Sequence, residues 1–372
     1  MKLHQDVMKR LCSLFAANGI FAVICMGQGT LTPAGAPAPS MKSLAQVEPR
    51  APIGSVPFVI TTAGSYYLTT NLTGVSGTNG ITVLAPDVSL DLNGFALIGV
   101  AGSTFGVTST TAAVNFSLRN GTVRNWPAAG IIAPGTDATF EGLNVYSNSG
   151  AFGLSAGNYA KVRQCNLAQN GAGLSVGQGA VISDSVIRNN AGNGIVASES
   201  ARIQNCTIYS NSANGLSLSN ACLVESCIIK TNGQNGIVGL ANLSVLRCNV
   251  SQNASNGVSV TLGGKIADCV ISSNRVDGIR VVARCSITGN MCDYNGLGAR
   301  DAGIRLLSSD NRVDGNDLNS NVTGLLSDLG FNLIVRNKAT LNATNFNFHV
   351  NDLVGGSSAN PTTANPWANF GY

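Results

Sequence analysis

The stretch "IRVVARCSITGNMCDYNGLGARDAGIRLL", residues 279–307, holds the side chains most able to do chemistry. Arg280 and Arg305 each follow a glycine by two positions, in "DGIR" and "AGIR". Between them come Asp293, Tyr294, Arg300 and Asp301. Arg300 and Asp301 lie in "NGLGARDAG", which is four residues longer than the equivalent interval elsewhere. Guanidinium forks match carboxylates in shape and charge. An arginine pair beside this loop is therefore suited to an acidic polysaccharide such as a polyuronate. A plainer reading stands beside it. Residues 265–338 carry 17 charged side chains on less than a quarter of the chain. Stacked like charges repel, so aspartates such as Asp310, opposite Arg284, could simply neutralise a solvated surface. Exposed pairs of that kind are worth roughly 0–1 kcal/mol.

Other chemistry is sparse. The chain has two histidines, His4 and His349, too few for a histidine-based triad or zinc site. Ten cysteines occur without a CxxC spacing. Cys206, Cys227, Cys248 and Cys269 recur every 21 residues. Side chains stacked in parallel do not converge well enough for disulfides. Small, buried core fillers are the expected role, and no metal site is expected. Trp126, before Pro127, reads either as a sugar-stacking ring or as a turn or core aromatic.

The elements that must position these residues are visible as a repeat. A glycine preceding an aliphatic residue returns at Gly80, Gly106, Gly130, Gly153, Gly173, Gly194, Gly215, Gly236, Gly257, Gly278, Gly303 and Gly324. An asparagine returns at Asn125, Asn148, Asn170, Asn190, Asn211, Asn232, Asn253, Asn274, Asn295, Asn321 and Asn342. Apolar residues alternate in short groups, as in Leu216–Leu218 and Cys206–Ile208, which is the strand period. With 44 Gly and 41 Asn, the composition is rich in turns and poor in helix formers. The expectation is an all-β, single-stranded parallel β-helix of about 12 rungs with 21-residue repeats. Asn190, Asn211, Asn232, Asn253, Asn274 and Asn295 should form a stacked amide ladder, since each amide donates and accepts. Asn211 is expected at a bend, where Asn tolerates the left-handed conformation, and Gly215 at the next corner, where glycine permits a positive φ.

Four segments follow. Residues 1–27 place Lys2, Lys9 and Arg10 before an apolar run and read as a signal peptide. The alternative is a helix capping the next domain. Residues 28–55 form a Pro/Ala-rich linker, residues 56–345 the β-helix, and residues 346–372 a C-terminal cap. The cap concentrates Phe346, Phe348, Trp367 and Phe370 over an otherwise open end. Without the leader the chain is nearly neutral and has no basic tract, which argues against nucleic acid. No other apolar segment is long enough to span a bilayer as a helix. The expected location is exported: periplasmic, outer-surface or extracellular.

The rung "VSLDLNGFALIG" (residues 88–99), the core C-x-I-x-x-N-x-x-N-G-I and the tail "NPWANF" (residues 365–370) carry a resemblance. Over about residues 56–370 the chain resembles the bacterial exported right-handed parallel β-helix proteins of the pectate-lyase-like superfamily. The resemblance implies right-handed coiling. It does not select an activity, because that group spans lyases, hydrolases, epimerases, tailspikes and proteins of unknown role. The Gly-His-Gly motif of its polygalacturonases is missing here, as are the Tyr/His/Asp-bearing motif of its epimerases and the Arg-Pro pattern of its pectate lyases. In a lyase or epimerase, an arginine or tyrosine would move protons and carboxylates could hold Ca²⁺. No cofactor is otherwise indicated. Two classes of function remain: a carbohydrate-associated protein that binds or cleaves acidic polysaccharide, and a non-catalytic structural or adhesive envelope protein.

Overall fold

A computed structural model describes residues 48–360, 362 and 364–372. The expected signal peptide and most of the linker lie outside the described residues. The chain divides into two units, residues 1–49 and 50–372, and the strands described here belong to the second.

The described residues form strands and turns, with no helix. One turn of the repeat runs through Lys265–Ala267, Val270–Ser272 and Ile279–Ala283. The first two strands of each such turn join a 28-stranded sheet, and the third joins a 14-stranded sheet. All pairings are parallel and in register from one turn to the next: Ile266 faces Ile287, Ile271 faces Cys292, and Ile279 faces Ile304. These residues are all fully buried and stack as aliphatic columns inside the rod. Their neighbours along each strand point outward, as strand alternation requires.

The solenoid has about 14 turns rather than 12. The two extra third strands, Phe58–Ile60 and Thr344–Asn347, lie at the ends and lack the marker glycine. The reason for the last is steric. A Cβ on Gly215 would lie 2.6 Å from the Gly236 carbonyl oxygen of the next turn. The final third strand has no further turn stacked on it in that sheet. The strands also begin at Ala51, inside the segment read as linker. The terminal strands Leu353–Val354 and Asn369–Gly371 continue the large sheet by pairing with Leu333–Val335 and Lys338–Thr340.

Three local expectations need correction. Gly215 does not have positive φ; close approach of the next turn is what excludes a side chain there. Nor is Asn211 the left-handed residue. That role falls to the position before it, Ser210, at φ 55°. Asn205, before the cysteine slot, repeats the device at φ 53°. With Ser200 at φ 60°, three left-handed residues per turn thus make the sharp bends. Finally, Asn125 is not a ladder member. Trp126 takes that slot, its backbone N–H donating to Asn148 Oδ1 at 3.0 Å. The indole is fully buried and donates to the Leu97 carbonyl, so Trp126 is core and not a sugar platform.

The asparagine ladder runs from Asn148 to Asn342. Within it, Nδ2 of Asn190 donates to Asn211 Oδ1 at 2.8 Å, and Asn211, Asn232, Asn253, Asn274 and Asn295 repeat the step. Each Oδ1 also accepts the backbone N–H of the preceding ladder residue, as in Asn211 to Asn232. A second ladder replaces the cysteine column from Asn290 through Asn316 and Asn337 to Asn369. Cys206, Cys227, Cys248 and Cys269 are free and buried, in keeping with a filling role. Removing one rung of amide leaves neighbours unpaired in a dry interior. Asn232→Ala is therefore expected to cost about 1–3 kcal/mol, measurable as a lower denaturation midpoint. An unchanged midpoint would mean that solvent replaces the lost bonds.

Candidate functional site

The repeat regularity ends at the turn after Val270–Ser272. In the preceding turns, Asn193, Asn214, Asn235 and Asn256 stand just before the marker glycine and form a third ladder. Asn214, Asn235 and Asn256 each donate both backbone N–H and Nδ2 to the Oδ1 of the asparagine one turn earlier. Asp277 takes the next place. Its N–H donates to Asn256 Oδ1 at 3.1 Å, and its own Oδ1 accepts the Ala302 N–H at 2.8 Å. Ala302 has no polar side chain and ends the ladder. Asp277 is fully buried, and its Oδ2 has no hydrogen-bond partner. Burial pushes this carboxyl up to about 6, against the lowering pull of the Ala302 N–H and of Arg305 and Arg280. Asp301 adds to the rise by like charge.

Arg280 and Arg305 face outward from adjacent third strands and pair in register. This confirms that they share one column. Their surroundings differ. Arg305 is largely covered, and its Nε lies 2.9 Å from Asp328 Oδ2. Arg300, from the inserted loop, reaches the other oxygen of the same carboxylate at 2.9 Å. Arg280 is half-exposed and forms no ion pair among the described residues. Asp301 is turned into its own loop: its Oδ2 accepts the N–H groups of Leu297 and Gly298 at 3.0 and 2.6 Å. Two guanidinium groups, those of Arg300 and Arg305, therefore share one aspartate, Asp328, and Arg280 stands beside them without a carboxylate partner among the described residues.

Asp293 and Tyr294 belong to a different face. Asp293 ends a second strand opposite Asn319, and burial with the nearby Asp317 charge raises its carboxyl above the ordinary value. Asp293 and Asp317 each keep one buried oxygen without a partner, while the other Asp317 oxygen pairs with Lys338. Tyr294 is the left-handed residue before Asn295 and is 68% exposed. Neither is hydrogen-bonded to the arginine column. The described residues contain no group of three or more His, Cys, Asp or Glu side chains placed to hold a metal ion.

Arg284 and Asp310 do approach each other, at 4.0 Å, but both are exposed. Two participants were not singled out from sequence. Asp277 had a signal, because "DG" replaces the "NG" of the turns before it. Asp328 had none, since it lies outside the repeat slots that mark the arginines.

On the same outward face, two turns before Arg280 and beyond, a shallow groove is lined by Val196, Ser198, Ser217, Ser219, Val238 and Leu240. Val196, Ser217, Val238, Ser259, Arg280 and Arg305 occupy one column by register. The groove and the arginines thus lie along a single line parallel to the rod.

This geometry defines an all-β parallel solenoid with a cationic step in an otherwise neutral outward column. Residues 105–245 match the family model described as "Right handed beta helix region". No curated protein sequence matches the chain. Among solved structures, the Azotobacter vinelandii mannuronan C-5 epimerase AlgE6 A-module is similar at 16% identity and TM-score 0.56. That likeness covers 74% of this chain and 90% of the module. The A-module of AlgE4, a mannuronan C-5 epimerase from the same organism, is similar at 15% identity and TM-score 0.54, covering 73% and 91%. At these identities the likeness concerns the fold.

Proposed function

We propose that this protein binds an acidic polysaccharide along the outward column from Val196 to Arg305, with Arg280 as the principal carboxylate contact. One observation carries the reading: Arg280 is half-buried and without an ion pair among the described residues, in register with an arginine that already holds a carboxylate. A uronate carboxylate at Arg280 would repeat what Asp328 does at Arg305. Ser217, Ser259 and the groove side chains offer the hydroxyl and apolar surface that sugar rings use. Export, and hence a meeting with envelope or extracellular glycans, belongs to the same proposal and draws on the charged, apolar start of the chain. The two similar modules are mannuronan C-5 epimerases, which makes a uronate polymer the first ligand to test.

Binding rather than turnover is the preferred reading, because among the described residues no acid–base pair is hydrogen-bonded to Arg280. A lyase- or epimerase-like activity would have to recruit Tyr294 or Asp293 from another face. Calorimetric titration with oligo-uronates and with neutral oligosaccharides of equal length tests the proposal. Binding of the uronates alone, weakening with added salt, is expected. Equal binding of both, or of neither, would overturn it.

A further inference from the structure

We infer that Asp277 is a proton-operated control on the arginine column: its protonated form completes the polar ladder and leaves the column cationic, and its ionised form opposes anion binding. The inference rests on the proposed acidic-glycan site and names its regulation.

Asn214, Asn235 and Asn256 in this column each offer an N–H from Nδ2 to the oxygen one turn earlier. Asp277 keeps the backbone half of that pattern toward Asn256, and its Oδ1 plays the acceptor role toward Ala302. By elimination, Oδ2 stands in for the missing Nδ2, and it is the orphaned oxygen. An ionised carboxylate sets two acceptors against each other there, because Asn256 offers Oδ1. A protonated carboxyl donates and restores the amide pattern. The repeat itself supplies the better residue for a static scaffold, which is asparagine.

The charged groups acting on Asp277 are Arg280 on its own turn, Arg305 on the next, and Asp301 on the inserted loop. Asn256, from the preceding turn, is neutral. With Asp277 protonated, Arg280, Arg300 and Arg305 outnumber Asp328 and Asp301 by one charge. Ionising Asp277 cancels that excess in a partly dry region, where one charge changes anion affinity on the order of ten-fold.

The sign of the pH dependence follows. A carboxyl whose folded value, about 6, lies above its unfolded value near 3.8 binds more protons in the folded state between those limits. Stability is thus greatest at the acidic side of this window. It falls as pH rises toward about 6, and the full penalty remains above that. Anion affinity should fall across the same upper limit.

The test uses the full chain and Asp277→Asn, measured at pH 5 and pH 7.5. Thermal midpoints form the first arm, which needs no ligand. The variant is expected to melt higher than the parent at pH 7.5, and by a smaller margin at pH 5, where only part of the penalty has accrued. Equal or lower melting at pH 7.5 would overturn the ladder argument. Oligo-uronate affinity forms the second arm. The parent should bind on the order of ten-fold more weakly at pH 7.5 than at pH 5, and the variant should bind alike at both. A parent that binds with no pH step, or a variant that keeps the step, would overturn the control. If neither protein binds uronates at either pH, the proposed function fails. The control over that site then falls with it, while the first arm still decides the state of Asp277.

Discussion

A Gly215→Val chain should unfold at markedly lower denaturant than the parent. Glycine is required there by crowding and not by backbone conformation. A Cβ would meet the Gly236 carbonyl oxygen at 2.6 Å, Ile229 Cγ2 at 2.7 Å and Asn232 Nδ2 at 2.8 Å. The first is backbone of the next turn, and the last belongs to the buried amide ladder, so neither moves cheaply. Valine adds two further methyl groups to that overlap. The cost is expected at or above the top of the roughly 1–3 kcal/mol range for overpacking. Because each turn packs only on its neighbours, the damage should begin locally and split the rod. Ser217→Val, on the outward side of the same strand, is the control, expected within about 0.5 kcal/mol of the parent. Urea midpoints of the two variants check the pair. Equal midpoints would show that the turns can spread to admit a side chain.

At pH 5, where Asp277 is protonated, Arg280→Ala should weaken oligo-uronate binding without changing the melting temperature. The guanidinium has no ion pair to lose, so stability should be untouched. A charge-assisted bond to a ligand carboxylate is worth about 1.5–3 kcal/mol, or about ten-fold and more in affinity. Arg280→Lys should recover only part of this, because an ammonium keeps the charge and loses the fork. Arg163→Ala is a useful contrast. Arg163 is exposed, paired with Glu141 at 2.7 Å, and sits in the other sheet. Calorimetry on the three variants would show the difference. Equal loss from Arg163→Ala and Arg280→Ala would point to diffuse charge attraction instead of a site.

The rod was legible in the sequence because each turn spends its distinctive residues on stacking. Glycine, asparagine and the small cysteine slot recur where the next turn presses closest, so spacing alone exposed the fold. The end turns escaped notice for the same reason. Phe58–Ile60 and Thr344–Asn347 lack the marker glycine, so a count based on that glycine stopped short. The role of the bends was misassigned between neighbours. Ladder amides must point inward, and the left-handed strain falls on Ser210 and Asn205, whose types vary from turn to turn and so leave little pattern. At the candidate site, Arg280 and Arg305 could be paired from register. Their inequality could not, because it depends on Asp328, two residues beyond the register partner of Arg305. Asp277 was readable in principle as the one aspartate in an asparagine column. Its meaning appears only when the ladder bonds show which of its oxygens is left over.

The most direct measurement is the structure of the protein with a bound oligo-uronate. The account predicts a uronate carboxylate within hydrogen-bond distance of the Arg280 guanidinium, with the sugar chain running along Ser259 and Ser217 toward the groove at Val238. A ligand seated instead against Trp367 and Leu353 at the C-terminal end, with Arg280 empty, would contradict it.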